Sequence, residues 1–332
     1  MGRRVVLRHL LPDGRATDVL GELLAWDGAA GYARVATSGG EVRVPIADIL
    51  MGKPVPPAPP ARSRRGVRPL SMVALHDVMA DGWRPLEQES YGGWRLRAAE
   101  GFTGRANSVL PLGPPPDPLP QAVDRAEGWY AARELPGRFC VMWPLGSGPD
   151  EPAYGADPLE TELVRRGYRL DYPSLVLTCP LGRASGAVAQ APLPAPLPDG
   201  WTVEVSAEPD EGFLSLYRYR GEDLPPVAGR LLLSAPAQAF VSVVSDQRRT
   251  VAIGRVASSR GWSGITAVEV ARDHRRRGLG QVVMAALHGW ARERGDHSAY
   301  LQVARTNEPA RALYAGLGYI AHSGYHYRIQ PT

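Results

Sequence analysis

Between Val268 and Gln281 the chain reads Val-Glu-Val-Ala-Arg-Asp-His-Arg-Arg-Arg-Gly-Leu-Gly-Gln, an apolar strand running into a basic turn broken by glycines. An amphipathic stretch follows, Val282 to Arg294, with Val283, Ala286, Leu287 and Trp290 on one helical face. That order of parts makes an anion site. The backbone N–H groups of Arg276 to Gln281, Leu279 among them, are expected to point at a bound phosphate, and the opening helix adds the positive end of its dipole. Gly278 and Gly280 permit a close approach and backbone angles that a side chain forbids. Arg275, Arg276 and Arg277 supply counter-charge at the rim; the plainer reading is a solvated turn in which the backbone does most of the binding.

A second patterned segment lies about thirty residues on, where the strand-like run Ala299 to Val303 leads into Asn-Glu-Pro-Ala-Arg-Ala-Leu-Tyr-Ala-Gly-Leu-Gly-Tyr, residues 307–319. Asn307 is a natural N-cap, and Glu308 and Pro309 suit a first helical turn. Gly318 stands where a left-handed residue stops a helix. Leu313 and Leu317 read as core residues, and Tyr314 reads equally as a packed ring or a proton donor. Glu269, an acid inside an otherwise apolar strand, is either a general base facing a cleft or a solvated carboxylate; strict alternation would turn it away from Val268 and Val270. Asp273 and His274 read as surface residues, and Tyr325 and Tyr327 as either pocket lining or a packed edge.

These two segments resemble the two signatures of the GNAT N-acetyltransferase superfamily. Arg275, Gly278 and Gly280 fill the Arg/Gln-x-x-Gly-x-Gly/Ala pattern of its acyl-CoA site, and residues 307–319 match Asn-x-x-Ala-x-x-Leu-Tyr-x-x-Leu-Gly-Phe/Tyr at nearly every position. The resemblance implies a mixed α/β fold with a central, mostly antiparallel twisted sheet, acetyl-CoA as co-substrate and no metal. It implies that the strand through Val268 and Val270 lines up the pantetheine arm, that the Val270 amide polarises the acetyl carbonyl, and that Arg275 to Gln281, with Asn307, belong to the cofactor site. It also implies that Tyr314 protonates the leaving thiolate. Removing a proton from an amine of pKa about 10 wants a carboxylate, and Glu269 is the first candidate.

Around these segments the chain divides at proline-rich joints. Residues 1–51 carry four or five short alternating runs separated by Pro12-Asp-Gly, Asp27-Gly and Ser38-Gly-Gly, the pattern of a small barrel of the Src-homology or Tudor kind. A Pro/Arg-rich linker is expected over 52–67, with Arg62 to Arg65 as a solvated tether. Residues 68–180 form a second unit with helices at Leu70–Met79, Gln121–Glu134 and Pro158–Arg166 and strands at Gly93–Ala98, Arg105–Leu110 and Ser174–Cys179. An offset of 151 residues lays Pro158, Gly167 and Tyr168 on Pro309, Gly318 and Tyr319, but Leu163 falls on Tyr314 and Ala156 on Asn307. Where a phosphate turn should stand this half has Gly113-Pro-Pro-Pro-Asp-Pro, and proline has no N–H to offer. It reads as a degenerate copy in a tandem repeat. An Ala/Pro linker, 181–200, separates it from a catalytic unit, 201–332, expected to hold all of the chemistry.

With 332 residues and 44% apolar composition the chain suits two or three domains, and no apolar run is long enough to span a bilayer. Cys140 and Cys179 stand alone in apolar surroundings, giving neither a metal pattern nor a disulfide framework. No secretory signal is read at Met1-Gly-Arg-Arg, and a cytoplasmic protein is expected. The net charge of +4 is carried almost wholly by arginine, Lys53 being the only lysine, and does not by itself argue for nucleic acid. The expected partner is an amine-bearing acceptor, protein or small molecule. Two alternatives stand beside that reading: a non-catalytic acyl-CoA sensor, and a nucleic-acid-associated protein acting through the barrel and its arginine-rich linker.

Overall fold

The computed structural model describes residues 4–11, 14–37, 40–54, 70–149, 157–182, 197–218 and 221–331. The Pro/Arg-rich joint lies outside the described residues from 55 onward, as does the Ala/Pro joint between 183 and 196. Two units are present, Met1–Arg68 and Pro69–Thr332.

The first unit is a five-stranded antiparallel sheet: β1 (Arg4–Leu10), β2 (Ala16–Asp27), β3 (Tyr32–Thr37), β4 (Gly40–Pro45) and β5 (Ile49–Pro54). The strand order is β4-β3-β2-β1-β5, and among the described residues no ladder joins β4 to β5, so the expected barrel is not closed by hydrogen bonds. Alternation puts Val5, Leu7, Ala33 and Val35 into a small core with Val19, Leu23 and Ile49 against it. Gly52, Lys53 and Pro54, read from sequence as the start of the linker, are the end of β5, with Pro54 opposite Val5. A proline is tolerated there because β5 is an edge strand.

The second unit has a first half made of α1 (Met72–Gly82), β6 (Glu87–Tyr91), β7 (Trp94–Ala98), β8 (Leu110–Pro111), α2 (Leu119–Ala131), β9 (Arg138–Trp143), α3 (Pro158–Arg165) and β10 (Arg169–Pro180). Its second half holds β11 (Thr202–Ser206), α4 (Glu211–Leu216), α5 (Ala228–Leu232), β12 (Ala237–Val244), β13 (Thr250–Ser259) and β14 (Trp262–Val270), then α6 (Leu279–Glu293), β15 (Ser298–Ala304), α7 (Glu308–Gly316) and β16 (Ile320–Ile329). The mixed α/β class is as expected. One sheet runs β11-β12-β13-β14-β15-β10-β16-β9, antiparallel except at β14/β15. Leu279, Val283, Met284 and Leu287 of α6 pack on Val241, Val251 and Val256 of that sheet. No helix among the described residues is long and apolar enough to cross a membrane.

The halves repeat one another locally. Gly167 and Gly318 both take left-handed φ, 79° and 85°. The next amides reach back alike, Tyr168 to the Leu163 carbonyl and Tyr319 to that of Tyr314, both at 3.0 Å. Each half also has one parallel contact in an otherwise antiparallel sheet, β14/β15 in the second and the Val109–Phe139 bridge in the first. The last strands are exchanged: β10 pairs with β15 and β16 with β9, and β10 and β16 pair with each other. One expected strand fails. Of Arg105–Leu110 only Leu110 enters a strand, because residues 101–108 fold around the Asn107 side chain, which accepts from the amides of Ala99 (2.7 Å) and Gly101 (2.9 Å) and donates to the Phe102 carbonyl at 2.7 Å.

A buried ionic cluster pins the halves together. Glu160 on α3, 1% exposed, accepts from Arg328 Nε at 2.9 Å and pairs with His326 Nε2 at 3.1 Å; the other His326 ring nitrogen meets Trp143 Nε1 at 3.1 Å. Removing one member leaves a buried charge without its partner, so Glu160→Ala is expected to cost about 3–5 kcal/mol. Urea midpoints check this; a loss below ~1 kcal/mol would show that water or a neighbour replaces the carboxylate.

Candidate active site

β14 and β15 are hydrogen-bonded only from Trp262 to Ile265, against Ser298 to Leu301. Beyond that β14 stays with β13 while β15 stays with β10, so the sheet splits between Thr266–Val270 and Gln302–Ala304. Ala267 marks the split: its φ is 54°, and the β13 register shifts there. This bulge breaks the strict alternation assumed from sequence, and Val268 and Glu269 both line the cavity of about 240 Å³ that fills the split.

The backbone at the end of β14 also faces this gap. The Ala271 amide donates to the Val251 carbonyl at 2.9 Å, and Val270 lies opposite Ala252. Hydrogen-bonded and non-bonded pairs alternate along an antiparallel ladder. Val270 therefore belongs to a non-bonded pair, and its N–H and C=O point away from β13 into the split.

The turn before α6 has the backbone expected of it, with two differences. Arg276 and Gly278 take φ of 60° and 79°, and a Cβ on Gly280 would stand 3.1 Å from Leu313 Cδ2. The helix starts at Leu279 rather than Val282, and the Gln281 amide is already spent on the Gly278 carbonyl at 2.9 Å. The cradle is thus shorter than the expected Arg276–Gln281, with the first-turn amides of Leu279 and Gly280 lacking intrahelical acceptors. Arg275 is exposed but tied back to the strand. Its Nε donates to the Val270 carbonyl at 3.1 Å and its Nη2 to Glu269 Oε1 at 2.8 Å; Arg276 and Arg277 are exposed as well.

Glu269 and Tyr314 line the same cavity. Tyr314 is 8% exposed, and burial, with the Glu269 charge second, pushes its hydroxyl up to about 12. Asn307 also lines the cavity, but its Oδ1 accepts the Ala310 amide at 3.2 Å as the cap of α7. Asp273 is at the surface, paired with Arg249 at 2.9 Å; hydrogen bonds from His274 and Arg249 hold its carboxyl below the usual range. Both cysteines are buried and free, and no group of potential metal ligands occurs among the described residues. Tyr325 and Tyr327 are at once packed together and part of the cavity wall.

Sequence reasoning missed the part of the wall that the first half supplies. Gly104, Arg105, Tyr172 and Ser174 come from the first half, so residues 201–332 do not enclose the cavity alone. The one available signal was Gly104, whose neighbour Tyr327 Cε2 would lie 2.6 Å from an added Cβ.

Comparison with known proteins agrees with this geometry. Residues 71–328 match the model of the family described as probable histone acetyltransferase Rv0428c, C-terminal, and residues 1–53 match the Rv0428c N-terminal Sm-like domain. The chain is 26% identical over 340 residues to the probable histone acetyltransferase Rv0428c of Mycobacterium tuberculosis, covering 100% of this chain and 95% of that one. It is 27% identical over 257 residues to the uncharacterized N-acetyltransferase YobR of Bacillus subtilis, covering 77% and 97%. Among solved structures it resembles a GCN5-related N-acetyltransferase from Kribbella flavida, with TM-score 0.57, 19% identity and coverage of 81% and 97%. It also resembles a tandem GNAT protein of the clavulanic acid biosynthesis pathway, with TM-score 0.53, 17% identity and coverage of 81% and 92%.

Proposed function

Because the chain belongs to the Rv0428c family and is an N-acetyltransferase of the GNAT type, we propose that it moves an acetyl group from acetyl-CoA to a primary amine by direct attack of that amine on the thioester. The observation that carries this reading is the meeting of Glu269 and Tyr314 in one cavity at the split in the sheet, next to a Val270 backbone that faces away from β13. Acetyl-CoA supplies the activated acyl group, and the residues present suit it: a left-handed Gly278 before a helix start, a Gly280 set close against Leu313, and first-turn amides without intrahelical acceptors.

Each residue then has one task. Glu269, directly or through a water, takes the proton that the amine loses as its nitrogen bonds to the acyl carbon. The Val270 N–H donates to the acyl oxygen as negative charge builds on it. When the carbon–sulfur bond breaks, the Tyr314 hydroxyl donates to the departing sulfur. The departing thiolate leaves hydrogen-bonded to Tyr314 and takes its proton from solvent, and the proton gained by Glu269 returns to solvent. Arg275, bonded to Glu269 and to the Val270 carbonyl, holds both in place. The Mycobacterium tuberculosis relative is described as a probable histone acetyltransferase, a name that points to a protein amine; a small amine fits the same chemistry.

Calorimetric titration with acetyl-CoA, followed by thiol release in the presence of amines, tests the reading. Glu269→Gln is expected to lower kcat by about 10²- to 10³-fold at neutral pH while acetyl-CoA affinity stays within about threefold. Raising the pH, which deprotonates the amine without help, should recover part of the loss. Absence of acetyl-CoA binding by the parent chain would overturn the proposal.

A further inference from the structure

The first half brings to the cavity a positive charge that no carboxylate among the described residues answers. Three charged side chains line the cavity: Arg105, Arg218 and Glu269. Glu269 is paired with Arg275 and Arg218 with Asp223 at 2.7 Å, which leaves Arg105. Its Nη1 donates to the neutral Gln302 amide oxygen at 3.1 Å, and its guanidinium carbon lies 4.5 Å over the Trp83 ring. The loop carrying it is locked in three further places. Ser108 Oγ donates to the Gly104 carbonyl at 2.7 Å, Trp83 Nε1 to Thr103 Oγ1 at 2.9 Å, and buried Arg97 to Ser108 Oγ at 2.8 Å. Such a loop presents a guanidinium in one orientation.

Buried arginines nearby have a structural account. Arg255 donates to the Leu232 carbonyl at 2.7 Å and the Gly82 carbonyl at 3.2 Å, the last residues of α5 and α1, whose negative dipole ends offset its charge. Arg105 meets no such end. A second cavity of about 20 Å³ shares Arg105, Gln302, Tyr325 and Tyr327 with the first, and Arg97 and His76 also line this recess. His76 is 3% exposed, and its Nε2 is buried without a hydrogen-bond partner among the described residues. Burial, with the Arg97 charge second, drives its ring down to about 3, so it is neutral. The recess has room for about one oxygen atom.

We propose that the acceptor carries a carboxylate besides its amine, seated on the Arg105 guanidinium with one oxygen toward the His76 recess, so that the amine is held at Glu269. This rests on the acetyltransferase reading and narrows it to a small amine with an acidic end. A lysine-rich tail would bring like charge to Arg105. The planar fork of arginine suits a carboxylate, and a phosphate has one oxygen too many for the recess.

The full chain, saturated with CoA, is titrated calorimetrically with four probes: γ-aminobutyrate, its neutral counterpart n-butylamine, O-phosphoethanolamine and a lysine-bearing basic peptide. Acetyl-CoA with the same probes then gives kcat and KM by thiol release. The expected result is that γ-aminobutyrate binds at least ~10-fold more tightly than n-butylamine, and that Arg105→Gln raises its Kd and KM by ~10- to 100-fold. Arg105→Lys should restore part of the loss, and acetyl-CoA affinity should be unchanged in both variants. Tighter binding of O-phosphoethanolamine than of γ-aminobutyrate would overturn the carboxylate assignment. Equal use of butylamine and γ-aminobutyrate, preference for the basic peptide, or an Arg105→Gln loss shared by every probe would overturn the proposal while leaving acetyl transfer standing. Failure of the parent to bind acetyl-CoA would overturn both.

Discussion

A chain carrying Gly278→Asp is expected to bind acetyl-CoA at least ~1000-fold more weakly than the parent. Two effects add at this position. Gly278 holds φ of 79° immediately before α6, a conformation that costs any other residue roughly 1–2 kcal/mol. The new carboxylate also stands at the helix start where a phosphate is to be held, and two like charges about 4 Å apart at a protein surface repel by about 4 kcal/mol. That second effect alone is about three decades in Kd. Gly278→Ala separates the two, because it keeps the strain and lacks the charge; its loss should be ~10-fold. Isothermal titration of the three proteins, with a thermal midpoint for each, is the measurement. Retention of parental affinity by Gly278→Asp, in a folded protein, would place the phosphates elsewhere.

Tyr314→Phe is expected to lower kcat by about 10²- to 10³-fold while acetyl-CoA affinity changes less than about threefold. The hydroxyl is pushed up to about 12, whereas a thiol sits near 8.5, so the phenol is the weaker acid of the two. Full proton transfer ahead of bond cleavage is therefore uphill. What the hydroxyl offers is a hydrogen bond that strengthens as charge gathers on sulfur, an interaction made in the transition state and not in the ground state. The same shift fixes the pH behaviour. The hydroxyl is protonated, and able to donate, at every pH below about 12, so an alkaline fall in kcat between pH 7 and 10 belongs to another group and should survive in Tyr314→Phe. A variant with a proportionate rise in KM for acetyl-CoA, or with parental kcat, would assign Tyr314 to packing beside Tyr319, whose ring centroid is 5.8 Å away.

Local chemistry was legible in the sequence and distant pairing was not. Gly278, Gly318 and Asn307 act through their own backbone neighbourhoods, so a left-handed turn, a helix stop and a cap could be read from residue type alone. The strands around the cavity were visible as apolar runs, but the bulge at Ala267 was not, since an alanine at φ of 54° carries no signature in its type. Its effect was to put Glu269 and Val268 into one cavity. Arg105 was read as the start of a strand over Arg105–Leu110; the competing influence was Asn107, whose side chain bonds the surrounding backbone into a loop. The place of β10 between β15 and β16 has no local mark, because it depends on residues far along the chain.

That exchange has a consequence for how the protein is made. β10 emerges during synthesis long before either of its sheet neighbours, and β9 waits for the very last strand. The first half therefore cannot finish folding before β16 has been made, and β9 and β10 keep unpaired edges until then. During that interval a second nascent chain offers the same partners, which makes crowded synthesis the condition most prone to cross-paired dimers. Deleting the first half would take out the strand on which β15 and β16 both depend.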